Sequence, residues 1–270
     1  MKKINTLSLL LIGSFLTCSV SSYAQPGGIK IGKGKGVKVN AKTVEAGTKA
    51  VKAVTLTDAD VIAKTIEYVD WMDKHNPVAK DKDKYAKRLK KLVEKHTNED
   101  GLDLNYKVYL VVDVNAFACA DGSVRVCAGL MDKMTDDEIR GVIGHEIGHV
   151  KNHDSKDAFK TALLASAFRD AAASQSGVAA ALSETQLGDL AEAVANAQFS
   201  QKQESKADDY GFDFLKRNGY DVNAMGSAFR KLLELQGEGG GKKGKQAFSS
   251  HPDTEKRAER MEKKAEKENK

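Results

Sequence analysis

His145-Glu146-Ile147-Gly148-His149 places two imidazoles four residues apart, with a carboxylate beside the first. Four residues are slightly more than one helical turn, so on a helix both rings leave the same face and can share one metal ion. Glu146 then stands next to that face, where it can take a proton from a water that the ion has made acidic. Two buried imidazoles flanking a buried carboxylate would need partners, and a metal supplies them. The chemistry offered by this spacing is metal-assisted hydrolysis.

A hydrolytic zinc takes three protein ligands and keeps one position for water. One zinc-peptidase pattern continues with Gly and His three and six positions past the second histidine. Here Asn152 and Ser155 stand at those positions, which excludes that class. His153 lies on nearly the same side of the helix but close to its end, and is the lesser candidate. The stronger one is Glu204. Leu187, Leu190, Val194, Ala197, Gln201, Glu204, Asp208, Gly211 and Leu215 recur alternately at three and four residues, a helical stripe that is apolar at both ends and acidic in the middle. A carboxylate on a buried stripe must be paired, so Glu204 is assigned as third ligand of a single zinc per chain. Asp208, one turn further on, suits the acceptor of a ligand histidine's ring N–H, fixing its tautomer.

The elements that must position these groups are legible around them. Thr135-Asp-Asp-Glu138 is a capping box that opens the helix carrying both histidines. Ile139, Val142, Ile143, Ile147 and Val150 form its broad apolar face, while Gly141, Gly144 and Gly148 cluster on another. Each helical glycine costs about 0.5 to 1 kcal/mol relative to alanine, so three on one side predict the close approach of another backbone and a central helix. Upstream, Thr57 to Asp60 form a cap, and Val61, Ile62, Ile66, Val69 and Met72 recur at helical spacing up to Asn76-Pro77. A second helix is expected from about Asp83 to His96. A strand is expected at Tyr106 to Val112, then a hairpin of Asn115 to Ala118 and Ser123 to Cys127 turning at Asp121-Gly122. Everything after Gly129 reads as helix. The fold class expected is α+β, mostly helical, with a small antiparallel sheet and the HExxH helix at its centre. Ala162 to Leu182 is alanine-rich, but Arg169, Asp170 and Gln175 inside it make membrane spanning costly, and helices packed on the body are expected instead.

The 270 residues carry 43 Lys and Arg against 38 Asp and Glu, a formal charge of +5. No apolar run of about 20 residues occurs beyond the N-terminus, which excludes a polytopic membrane protein. Residues 1–24 read as a secretory signal: Lys2 and Lys3, an apolar stretch from Leu7 to Val20, and Ser22-Tyr23-Ala24 as cleavage site. An exported, periplasmic protein is expected. Lipid anchoring on Cys18 is poorly supported, because Thr17 stands where a small residue such as Gly or Ala is usual. Residues 25–53 hold seven Lys and one Glu and read as a Gly/Lys-rich flexible arm. The domain itself is expected over 54–262, followed by a charged tail at 263–270. Export leaves Cys119 and Cys127 in a compartment that permits a disulfide, and the pair is a candidate. A two-residue turn at Asp121-Gly122, however, would place Cys119 opposite Val124 and not Cys127.

With these residues in place the chain resembles the HtpX-like and CAAX-prenyl-protease-like family of zinc metallopeptidases, and within it the soluble periplasmic branch of the LoiP type. The resemblance is carried by Asn115-Ala-Phe-Ala118, Gly129-Leu-Met131, Thr135 through His149, Phe199-Ser-Gln201, Glu204, Ala207-Asp208-Asp209-Tyr210, and His251-Pro252 followed by Arg257. It implies a zincin domain of gluzincin-like type in which Glu204 and Asp208 fill the ExxxD motif. It implies that Asn115, Ala116, Phe117 and Ala118 line the cleft, where an extended substrate adds as a strand. It also implies that His251 approaches the metal, to stabilise an oxyanion or to occupy the open coordination position. Cys119-Ala120-Asp121-Gly122 departs from the Pro-Gly-Gly turn of many relatives.

The expected activity is zinc-dependent endopeptidase action in the bacterial cell envelope, on misfolded or outer-membrane proteins, as protein quality control. Unfolded or misfolded envelope proteins are the expected partners, with outer-membrane association open and no nucleic acid expected. An outer-membrane assembly factor or chaperone with latent proteolysis is the alternative. A polyanion-binding protein driven by the basic ends is a third reading, which needs none of the ligand geometry.

Overall fold

The computed structural model describes residues 56–170, 181–238, 251 and 254–270. The expected signal peptide and the 25–53 arm lie outside these residues, as do Gln175 and Pro252. Helix α1 (Asp58–His75) opens as its cap predicts: the Thr57 hydroxyl accepts the Asp60 N–H, and the Asp60 carboxylate accepts the Thr57 N–H. Its buried face carries Val61, Thr65, Tyr68 and Val69. Ile66 lies well off that face at 100° per residue and is 48% exposed. Helix α2 (Lys84–Val93) is capped by Asp83, whose carboxylate accepts the Tyr85 N–H.

Strands β1 (Asn98–Glu99) and β2 (Leu102–Asp103) form a small hairpin around Asp100-Gly101, both at positive φ. The main sheet comprises β3 (Asn105–Tyr109), β4 (Ala116–Ala118) and β5 (Ser123–Cys127), in the order β3-β5-β4. The sheet is mixed, not antiparallel throughout: β4 and β5 form the expected hairpin, but β3 runs parallel to β5. Residues 110–115 carry the chain across, so β5 enters between β3 and β4.

The hairpin also corrects the register expected for the cysteines. Ala118 pairs with Val124, and the Cys119 N–H donates to the Ser123 carbonyl, leaving a loop of Ala120, Asp121 and Gly122. Gly122 sits at φ +85°, and a Cβ there would fall 2.1 Å from the Asp103 carbonyl oxygen, so the turn takes only glycine. Cys127 lies four residues from Ser123, about 13 Å along the strand. That exceeds the roughly 7 Å over which two cysteine Cα atoms can be bridged. Cys119 and Cys127 are accordingly free, buried thiols, and burial pushes the Cys127 pKa up to about 12.

Helix α3 (Ala128–Lys133) leads into α4 (Asp136–Lys151), which starts at the predicted Thr135/Glu138 capping box. After a turn come α5 (Asp154–Asp170), then α6 (Glu184–Ala195), α7 (Gln201–Arg217), α8 (Ala224–Glu238) and α9 (Thr254–Glu268). Two elements differ from expectation. The long stripe from Leu187 to Leu215 is divided between α6 and α7, because Ser200 and Gln203 form a capping box that starts a new helix. The residues from 263 on are no detached tail: α9 continues to Glu268, and Ala265 is buried against the body. No helix among the described residues is long and apolar enough to cross a membrane.

Helix α4 lies at the centre of the larger core, with Ile139, Val142, Ile143 and Ile147 buried among the sheet, α7, α8 and α9. A second cluster joins α1, α5 and α6 over Cys119, and Phe117 of β4 packs against it. The glycine face of α4 receives α7, as three aligned glycines predict. A Cβ on Gly148 would lie 3.0 Å from the Ala207 Cα, one on Gly144 3.1 Å from the Gly211 Cα, and one on Gly211 2.9 Å from the His145 nitrogen. Backbone meets backbone here, so neither side can yield. Gly211→Ala is expected to lower stability by about 1–3 kcal/mol, read as a lower urea midpoint. An unchanged midpoint would mean that the contact is looser than described.

Candidate metal centre

The α4–α7 contact brings His145 and His149 opposite Glu204 and Asp208. His145 Nε2 and His149 Nε2 are 3.1 Å apart. Glu204 Oε2 is 3.6 Å from the first and Glu204 Oε1 is 3.5 Å from the second. Donors bound to one tetrahedral zinc at 2.0–2.1 Å are separated by about 3.3 Å, so these three side chains are spaced to hold one ion between them. His251 joins them, with Nδ1 2.7 Å from Glu204 Oε1 and 3.3 Å from His145 Nε2. His145, His149, Glu204 and His251 each offer an atom within 4.8 Å of the others, and all four are buried.

The opposite ring nitrogens of both α4 histidines are held by carboxylates. His145 Nδ1 lies 2.9 Å from Asp208 Oδ1, and His149 Nδ1 lies 3.0 Å from Asp154 Oδ2. A carboxylate accepting Nδ1–H leaves Nε2 bare for a metal and fixes the ring. Asp154 is set by the turn after α4, where His153 takes φ +65°; Gln203 Nε2 donates to its other oxygen. His153 itself is exposed and outside the cluster. Phe199 stacks on the His149 ring at 4.0 Å between centroids, fixing its plane from the other side.

Arg257, from α9, closes the acidic side. Its Nε and Nη2 donate to the two oxygens of Asp208 at 3.0 and 2.6 Å, and Nη1 forms an ion pair with Glu204 Oε2 at 2.6 Å, outside hydrogen-bond angles. Its guanidinium also lies over the Phe229 ring. Burial disfavours the ionised form of Asp208, but the bonds from His145 and Arg257 prevail and hold its pKa down at about 2. Glu204 is likewise held below the usual carboxylate range by His149 and His251, against its burial. Burial drives the His145 pKa down to about 3, so this ring is neutral. Burial opposes protonation of His149 too, yet Asp154 and Glu204 outweigh it and lift its pKa to about 9 in the absence of an ion. A metal must displace that proton, and a cation beside Glu204 favours its departure.

Glu146 is buried between this cluster and β4. Its Oε2 accepts the Ala118 N–H at 3.2 Å; Oε1 has no hydrogen-bond partner among the described residues and lies 3.6 Å from His251 Nε2. Burial, with Glu204 nearby, raises its pKa. The Asn115 carbonyl and the Cys119 N–H bond to β5, so alternation turns the backbone groups of Ala116 and Ala118 to the outer edge of β4. No other strand pairs with that edge among the described residues.

A three-donor site with carboxylates behind both rings and a raised carboxylate beside it is the equipment of a metal-dependent hydrolase. Comparison with known proteins agrees: the family model for peptidase family M48 matches residues 83–265. The chain belongs to peptidase family M48. Metalloprotease YcaL of Escherichia coli is 43% identical over 219 residues, 81% of this chain and 85% of its own length. Metalloprotease LoiP of the same organism is 41% identical over 221 residues, with the same two coverages. Protease HtpX of Pseudomonas fluorescens is 28% identical over 234 residues, 71% of this chain and 77% of its own. This M48 protein is a metalloendopeptidase.

Of the residues expected from sequence, His145, His149, Glu204, Glu146, Asp208 and His251 are brought together, and Asn115 to Ala118 lie along their flank. His153 is not among them. Asp154 and the tethering role of Arg257 were missed. Asp154 had one signal: each ligand histidine needs an acceptor behind it, and Asp208 can serve only one.

Proposed function

We propose that this M48 protein is a zinc endopeptidase of the cell envelope, exported to the periplasm, that cleaves extended segments of unfolded or misfolded envelope proteins. One observation carries the reading: a Glu146 oxygen with no hydrogen bond among the described residues lies between a cluster of metal donors and a strand edge that no other described strand pairs. His145 Nε2, His149 Nε2 and Glu204 would hold one zinc. When bound, zinc supplies a Lewis acid that polarises the scissile carbonyl and acidifies water. Ala116 and the Ala118 carbonyl bond an extended substrate backbone, laying it past Glu146. Glu146 Oε1 takes the proton of the attacking water and returns it to the leaving amide nitrogen, and its raised pKa suits both transfers. Asp208 and Asp154 keep the two imidazoles oriented throughout.

His251 Nδ1 stands at the fourth corner of the cluster, which favours its occupying the open position over a role at the oxyanion. That same observation supports the second reading, an outer-membrane assembly factor whose proteolysis is latent. Casein cleavage separates the two. Cleavage that o-phenanthroline abolishes and added zinc restores is the expected result. Cleavage that survives the chelator would contradict the zinc assignment, and zinc-loaded protein without cleavage would favour the assembly factor.

A further inference from the structure

Residues 54–241 are acidic except at one place, while 242–270, which include α9, carry +4. Residues 80–95 hold eight basic and three acidic side chains, +5, which leaves −12 on the remainder of 54–241. Of the eight, only Arg88 turns inward, bonding Asp136 and the carbonyls of Met131 and Met134. Lys80, Lys82, Lys84, Lys87, Lys90, Lys91 and Lys95 are all exposed, and none is in an ion pair among the described residues. At 100° per residue the four lysines within α2 cover an arc of about 120°, directly opposite Leu89, Leu92 and Val93, which bury the other face. Lys80 and Lys82 precede the helix and Lys95 follows it, all three exposed.

We infer that this lysine face of α2 docks the protein on a membrane surface bearing anionic headgroups. Attraction of this kind needs charge density and no pocket, since each lysine near such a surface contributes independently. The exposed large apolar residues among those described are Ile66, Leu110 and Val112, none of them on α2. On α2 itself a protein partner would find no exposed apolar side chain of the kind that anchors specific interfaces. The placement also leaves the cleft free. Helix α2 packs against β3, at one edge of the sheet, and β4 is the opposite edge. The inference stands apart from the metal centre and does not depend on its chemistry.

The test is co-sedimentation of the full chain, recovered after export, with vesicles of phosphatidylcholine alone or mixed with phosphatidylglycerol. The wild type is expected to bind only the mixed vesicles, and to lose binding as salt rises. Lys87→Gln with Lys90→Gln and Lys91→Gln should weaken this by roughly a hundredfold, about fivefold per charge removed. Glu94→Gln, on the same exposed face, should strengthen it. Far-UV circular dichroism should be unchanged in both variants, because these side chains make no ion pairs among the described residues. Equal binding by wild type and the triple variant, which share the basic 25–53 segment, would overturn the inference. So would equal binding to both vesicle types, or binding to polyglutamate but to neither vesicle, which would indicate an acidic protein partner.

Discussion

Glu146→Gln is expected to remove peptide hydrolysis while leaving the metal in place. The substitution keeps the shape of the side chain, and its carbonyl oxygen can still accept the Ala118 N–H. What it removes is the basic oxygen facing the cluster, the group assigned to carry the proton from water to the leaving nitrogen. A positioned general acid–base contributes about 10²–10⁴-fold. The loss should fall on kcat, with KM little changed, because neither the strand edge nor the donors are touched. The decisive readout is a fluorogenic peptide assay beside metal analysis of the same preparation. Activity within tenfold of wild type would remove Glu146 from the chemistry.

Arg257→Ala should be the most destabilising single change around the site. The guanidinium faces both Asp208 and Glu204, and its loss leaves two buried carboxylates short of a countercharge. Removing one partner of a buried pair costs about 3–5 kcal/mol. The deficit should be largest without metal, because a bound cation restores positive charge to the same place; zinc should therefore stabilise the variant more than the wild type. The pH dependence follows from Asp208, whose folded pKa lies near 2 against an ordinary 3.8. A depressed carboxylate contributes stability above its unfolded pKa and loses it as pH falls through the folded one. Metal-free wild type should lose this contribution between those values, and Arg257→Ala should show a smaller loss there. Urea titrations with and without zinc, repeated across the acid range, give all three comparisons. A variant as stable as wild type without zinc would show that the ion pairs contribute nothing.

Much of this site was legible because its signals are local or carry a cost. The Thr135 capping box, the apolar face of α4 and its three glycines lie within one stretch, and periodicity reports them. Glu204 and Asp208 were found at long range only because carboxylates on an apolar stripe demand a partner. The parallel pairing of β3 with β5 leaves no such mark: neither strand changes composition with its neighbour's direction. The register at Cys119 depended on one residue of loop length, and β5, buried at every position, shows no alternation that would report the shift. The continuous spacing from Leu187 to Leu215 hid a break that the Ser200/Gln203 capping box did announce. Arg257 pairs with residues about 50 positions away in the chain, and only the folded α7–α9 contact gives it a role.

Zinc analysis of the purified chain, wild type beside His149→Ala, tests the central claim most directly. The account predicts one zinc per wild-type chain and none retained by the variant after dialysis, with both folded by circular dichroism. A full complement of zinc in His149→Ala, or none in wild type given excess metal, would contradict the ligand set of His145, His149 and Glu204.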